Sequence, residues 1–122
     1  MIRIITLVVC LSFATVSFGK DQANLLTEKQ FDKSPVGVVY KCYLVAVRAN
    51  LNQEASVLAS VINKFRKNDP EFSLNHKIYL IYAAEELTRI ENEAGGDFKS
   101  FFNYVCKKPT NNMRQMLDDG ML

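Results

Sequence analysis

One imidazole, three thiols and thirteen carboxylates are the groups with which this 122-residue chain could do chemistry. Nucleophilic catalysis by serine or cysteine needs an adjacent base, itself held in place by a third group. His76 is the sole imidazole, and the sequence has no G-x-S-x-G elbow, no H-E-x-x-H pair and no C-x-x-C spacing. A metal centre needs three or more converging ligands, and one histidine among scattered carboxylates offers no such spacing. Glycoside hydrolysis needs two carboxylates held across a cleft. Glu85, Glu86, Glu91 and Glu93 fall instead on one helical segment and suit a solvated face with an i, i+4 pair such as Glu85–Arg89. Phosphate, dinucleotide and calcium loops of the Walker, G-x-G-x-x-G and EF-hand types are absent. The expectation is no catalytic residue, no metal, no cofactor and no enzyme activity, with His76 a non-catalytic side chain in the first turn of its helix.

The thiols point instead to a staple. Cys10 belongs to an opening segment with the form of an export signal. Arg3 gives a positive start, residues 4–16 are an uncharged apolar run, and Ser17 and Gly19 put small residues at the positions signal peptidase reads. The run is too short to cross a bilayer, and the switch to Lys20-Asp21-Gln22 places cleavage after Gly19. No later segment has 18 consecutive apolar residues, so no stable membrane insertion is expected after cleavage. The ending Asp119-Gly120-Met121-Leu122 is neither an ER-retention nor a lipid-anchor signal. Secretion to the extracellular space follows, where Cys42 and Cys106 are left as one pair with a single connectivity. Closing so long a loop stabilises a domain by about 4 kcal/mol in chain-entropy terms. No Asn-x-Ser/Thr acceptor occurs, so N-glycans are not expected.

Composition narrows the class further. With 48% hydrophobic and 23% charged residues in 13.9 kDa, the chain has room for one ordinary globular domain. Its formal charge of +2 falls by one when Arg3 leaves, far from the basic excess that grips a polyphosphate, so nucleic acid is not an expected partner. A near-neutral chain with mixed signs on each segment is equally unsuited to lysing anionic membranes.

The elements that must position these groups read as helices. Residues 20–33 are polar apart from Leu25, Leu26 and Phe31, and suit a short helix or a loose arm. Ser34-Pro35 is a helix start, opening an almost uniformly apolar segment over residues 35–50 that must be central. Asn52 is placed to cap the next helix, whose stripe is Val57, Leu58, Val61, Ile62 and Phe65, with Lys64, Arg66 and Lys67 at its negative end and Asn68-Asp69-Pro70 as the stop. Ser73 is expected to cap a longer helix to residue 93, with Leu74, Ile78, Ile81, Tyr82, Leu87 and Ile90 on one side, ended by Gly95-Gly96. Asp97 caps a helix over residues 98–107, stopped before Pro109, with a last short turn over residues 112–118 and a fraying tail over 110–122. The expected fold is all-α: a compact bundle of four or five helices in one domain over residues 20–122, stapled by one disulfide.

Aromatic side chains carry the one sharper functional expectation. Tyr40, Tyr43, Tyr79, Tyr82, Phe98, Phe101, Phe102 and Tyr104 are candidates to line an interhelical pocket or to form a partner surface, against the simpler alternative that they are core. Export, near-neutrality and the lack of a catalytic constellation lead to a secreted, non-enzymatic helical protein that acts extracellularly by contact with another protein. The alternative is a carrier of a small apolar ligand in an aromatic-lined interhelical pocket.

Overall fold

The computed structural model describes residues 25–122. The export signal expected over residues 1–19 lies outside that range. The described chain is an all-α bundle, and each helix boundary can be traced to a local cause.

Helix α1 (Glu28–Lys33) starts at a capping box. The Gln30 N–H donates to Thr27 Oγ1 at 3.2 Å, and the Thr27 N–H donates to Gln30 Oε1 at 3.0 Å. Its one apolar residue, Phe31, is buried. Just before it, the Leu26 N–H donates to Tyr79 Oη, and Tyr82 Oη donates to the Leu26 carbonyl, both at 3.2 Å.

Helix α2 (Pro35–Arg48) begins as its sequence requires. The Gly37 N–H donates to Ser34 Oγ at 3.0 Å, and Pro35 occupies the first helical position, where its missing N–H costs nothing. Gly37 is obligatory for a different reason: a Cβ on it would overlap the Phe31 carbonyl oxygen, so its absence lets α1 end hard against the start of α2. Val39, Tyr40, Cys42, Val45 and Ala46 are buried, and α2 packs against every other helix of the bundle.

Helix α3 (Asn52–Asn68) differs from expectation at its start. Leu51 occupies the cap position with no side-chain bond, and Asn52 is the first helical residue, not the cap. The left-handed Asn50, with φ of 60°, turns the chain so tightly that the helix opens one residue early. Leu58, Val61 and Ile62 form the buried stripe, and Arg66 and Lys67 lie in the last turn.

Asp69 serves two helices. It ends α3 and caps α4 (Pro70–Ala94), accepting from the Glu71 N–H at 3.0 Å, with Pro70 at the first helical position. Ser73 therefore sits inside the first turn and is not the cap. The stripe that α4 turns inward is Asn75, Tyr79, Ala83, Leu87 and Ile90, whereas Leu74 and Ile81, expected inside, are exposed. Gly95, with φ of 67°, closes the helix.

The Ser100 N–H donates to Asp97 Oδ1 at 3.1 Å and opens α5 (Phe98–Phe101). A π-helical turn (Phe102–Cys106) follows, in which the Lys107 N–H reaches the Phe102 carbonyl five residues back, and it leads directly into α6 (Lys107–Asp118). The helix thus does not stop before Pro109, and the separate turn over residues 112–118 is part of α6. The π turn makes Pro109 a first-turn residue, where proline is tolerated. Thr110 is buried and donates to the Cys106 carbonyl at 2.7 Å; Met113, Leu117 and Leu122 pack on the core.

Cys42 and Cys106, 64 positions apart and both fully buried, form the expected disulfide, with Cα atoms 5.5 Å apart. It joins the middle of α2 to the end of the π turn.

Candidate functional site

The aromatic residues singled out in the sequence do not converge on one hollow. Tyr40, Tyr79 and Tyr82 meet in a cluster of rings with Phe31 and Phe72, neither of which is among the eight candidates. The Phe31 and Tyr79 rings stack with centroids 5.1 Å apart, and Phe72 meets Tyr40 at 5.9 Å and Tyr79 at 5.6 Å, edge-to-face with the latter. These rings fill the space between α1, α2 and α4. Phe98 is buried beneath the Arg48 guanidinium, 4.7 Å from its ring centroid, and Phe102 is buried in the π turn. Phe101 is half-buried and Tyr104 is 91% exposed. Tyr43 alone of the eight lines the cavity described next.

That cavity, of about 290 Å³, lies where α2, α3 and α4 meet. Ala59, Ile62, Asn63 and Arg66 project into it from one face of α3, at i, i+3, i+4 and i+7, while α2 contributes Tyr43 and α4 contributes His76 and Leu80. His76 is in the second turn of α4, because the helix starts at Pro70. Its Nδ1 is 2.6 Å from Tyr40 Oη. Burial raises the Tyr40 hydroxyl's pKa above its ordinary value, so the phenol keeps its proton and donates it. Burial, and secondarily the positive charge of Arg66, lowers the pKa of His76 and favours neutral imidazole. A neutral ring that accepts at Nδ1 carries its proton on Nε2. The Arg66 Nε donates to Ser73 Oγ at 3.4 Å. Among the described residues, no acidic side chain lines the cavity.

The glutamates of α4 behave as surface charges with altered pairing. Arg89 is clasped by Glu86, three residues before it, and by Glu93 at 2.7 Å, four residues after it, in place of the expected Glu85. Glu85 lies beside Glu28 of α1. Arg48 reaches Glu91 at 2.9 Å and ties the end of α2 to α4. Among the described residues, no three His, Cys, Asp or Glu side chains are grouped to hold a metal ion.

A different kind of site lies on the outside of α4. Leu74, Ile78 and Ile81 follow one another at i, i+4 and i+7, on the side opposite the buried Tyr79, Ala83 and Ile90. Leu74 is 65% and Ile81 58% exposed. The sequence identifies these residues as apolar but not as outward-facing, because both sides of α4 carry aliphatic side chains. Among the described residues, no helix is long and apolar enough to cross a membrane. The chain matches no protein-family model, no curated protein and no solved structure.

Proposed function

We propose that this is a secreted, non-enzymatic helical protein that acts outside the cell by contact with another protein, and that the outward face of α4 is the surface it presents. The observation that carries this reading is the Leu74–Ile78–Ile81 stripe. The core already takes the opposite side of α4; Leu74 and Ile81 are exposed, Ile78 between them is half-buried, and an apolar stripe of this kind rimmed by Lys77 and Glu85 has the makeup of a binding patch. Export is supported by the leader-like residues 1–19 and by a buried disulfide, a bond that persists in oxidising compartments. The packed rings of Phe31, Tyr40, Phe72 and Tyr79 favour this reading over a carrier whose aromatic side chains line a ligand pocket.

The test is capture from extracellular fluid on the immobilised oxidised protein, beside a Leu74→Glu/Ile81→Glu variant. Both substituted positions are exposed, so the variant should melt at the wild-type temperature. A discrete partner held by the wild type and lost by the variant supports the proposal. An identical set of captured proteins, or turnover of a substrate by the purified chain, overturns it.

A further inference from the structure

The cavity between α2, α3 and α4 has a composition that specifies a ligand independently of the α4 outer face. Its polar groups are all suited to donate: the Arg66 guanidinium, the Asn63 amide and the His76 Nε2, the ring nitrogen left over once Tyr40 holds Nδ1. Its remaining walls are the side chains of Ala59, Ile62 and Leu80 and the ring of Tyr43. Arg48 and Arg89 each pair with carboxylates, whereas among the described residues the one side-chain partner of Arg66 is the Ser73 hydroxyl, which engages Nε alone and leaves both terminal nitrogens of the fork. A guanidinium fork with no acid beside it is matched by a planar anion that accepts two parallel hydrogen bonds.

We propose that this cavity binds a small organic carboxylate with a short aliphatic chain, its carboxylate on Arg66 with Asn63 and His76 as supporting donors, and its chain against Ile62 and Leu80. At about 290 Å³ the space is at the lower limit of ligand pockets and matches a short chain, with no room to enclose a long lipid or a bulky conjugate. The Tyr40–His76 bond gives the site a fixed wall, because the imidazole is oriented before any ligand arrives. An inorganic anion would satisfy the donors but leave the aliphatic wall unused; an alcohol would do the reverse.

Isothermal titration of the full oxidised chain with octanoate, octan-1-ol and sulfate separates these occupants. Octanoate should bind saturably at one site, at least about ten-fold more tightly than octan-1-ol or sulfate, the discrimination expected of a charge-assisted hydrogen bond. Arg66→Gln, an exposed position at which folding is retained, should bring octanoate to the level of octan-1-ol. Ala59→Phe should fill the cavity and abolish uptake; unchanged melting of both variants establishes that any loss is local. Absence of saturable octanoate binding, sulfate bound as tightly as octanoate, or equal octanoate affinity in wild type and Arg66→Gln each overturns the proposal.

Discussion

Tyr40 on α2 and His76 on α4 are joined by a hydrogen bond of 2.6 Å between Oη and Nδ1. The ring of Tyr40 belongs to the core cluster while its hydroxyl fixes the wall of the cavity, so one side chain links the packing of the bundle to the orientation of the imidazole. Replacing Tyr40 with Phe keeps the ring and removes the donor. Denaturant unfolding should show a loss of about 1 kcal/mol, and more where Nδ1 stays dry. The His76 NMR signals should broaden or shift as the ring gains alternative orientations.

The lowered pKa of His76 has a definite sign. The unfolded chain binds the proton more readily than the folded one, so the contribution of His76 to stability is complete above the ordinary histidine range, near pH 6.5, and is lost as pH falls below it toward the folded value. Melting temperature should therefore decline between pH 7 and about pH 5.5, above the range where most carboxylates titrate. His76→Gln should flatten that decline, and a wild-type curve already flat over this interval would contradict the assignment.

Gly37→Ala should be among the most damaging single-methyl additions in the chain. The new Cβ meets the Phe31 carbonyl, a backbone atom that cannot rotate away, so α1 must shift and draw Phe31 from its place among the tyrosine rings. A cost of about 2–3 kcal/mol is expected from overpacking of this kind. Gly96→Ala is a suitable comparison, because a Cβ there meets nothing within 4 Å and carries only the strain of its φ of 82°.

Opening the Cys42–Cys106 bridge by the double replacement Cys42→Ala/Cys106→Ala should lower stability by about 4 kcal/mol, the entropy of a loop of this length in the unfolded chain. Chemical denaturation of the oxidised wild type beside the variant measures it.

Export makes its own prediction. The product secreted by a eukaryotic host should begin at Lys20, lack N-glycans, and show no thiol open to alkylation until it is reduced. A secreted or retained species that still begins at Met1 would remove the basis for the extracellular reading.

Where a boundary depends on neighbours in sequence, the residues announced it. Ser34-Pro35, Gly95 and Asp97 act within a turn of themselves, and each does in the structure what its chemistry requires. The disulfide is legible too, since setting Cys10 aside with the expected leader leaves Cys42 and Cys106 a single pairing. Asp69 is not legible as the α4 cap because one residue both ends a helix and starts the next, and the pattern allows it either task. Pro109 reads as a stop in the sequence, because the π turn that accommodates it depends on hydrogen bonds that local composition does not encode. Tyr43, Arg66 and His76 come from three helices, and no spacing along the chain could have brought them to one cavity. Leu74 and Ile81 show the same limit in another form: hydrophobicity marked them as apolar, and only the packing of α4 decides that they face outward.

The bridge between α2 and the π turn makes a covalent ring of the chain from Cys42 to Cys106, and α3, α4, the cavity and the outer stripe all lie within it. The exposed Gly95-Gly96 corner is a natural target for proteases, yet a single nick there releases nothing while the bridge is intact. Both fragments remain tethered through sulfur, their surfaces still held together, until a reductant separates them.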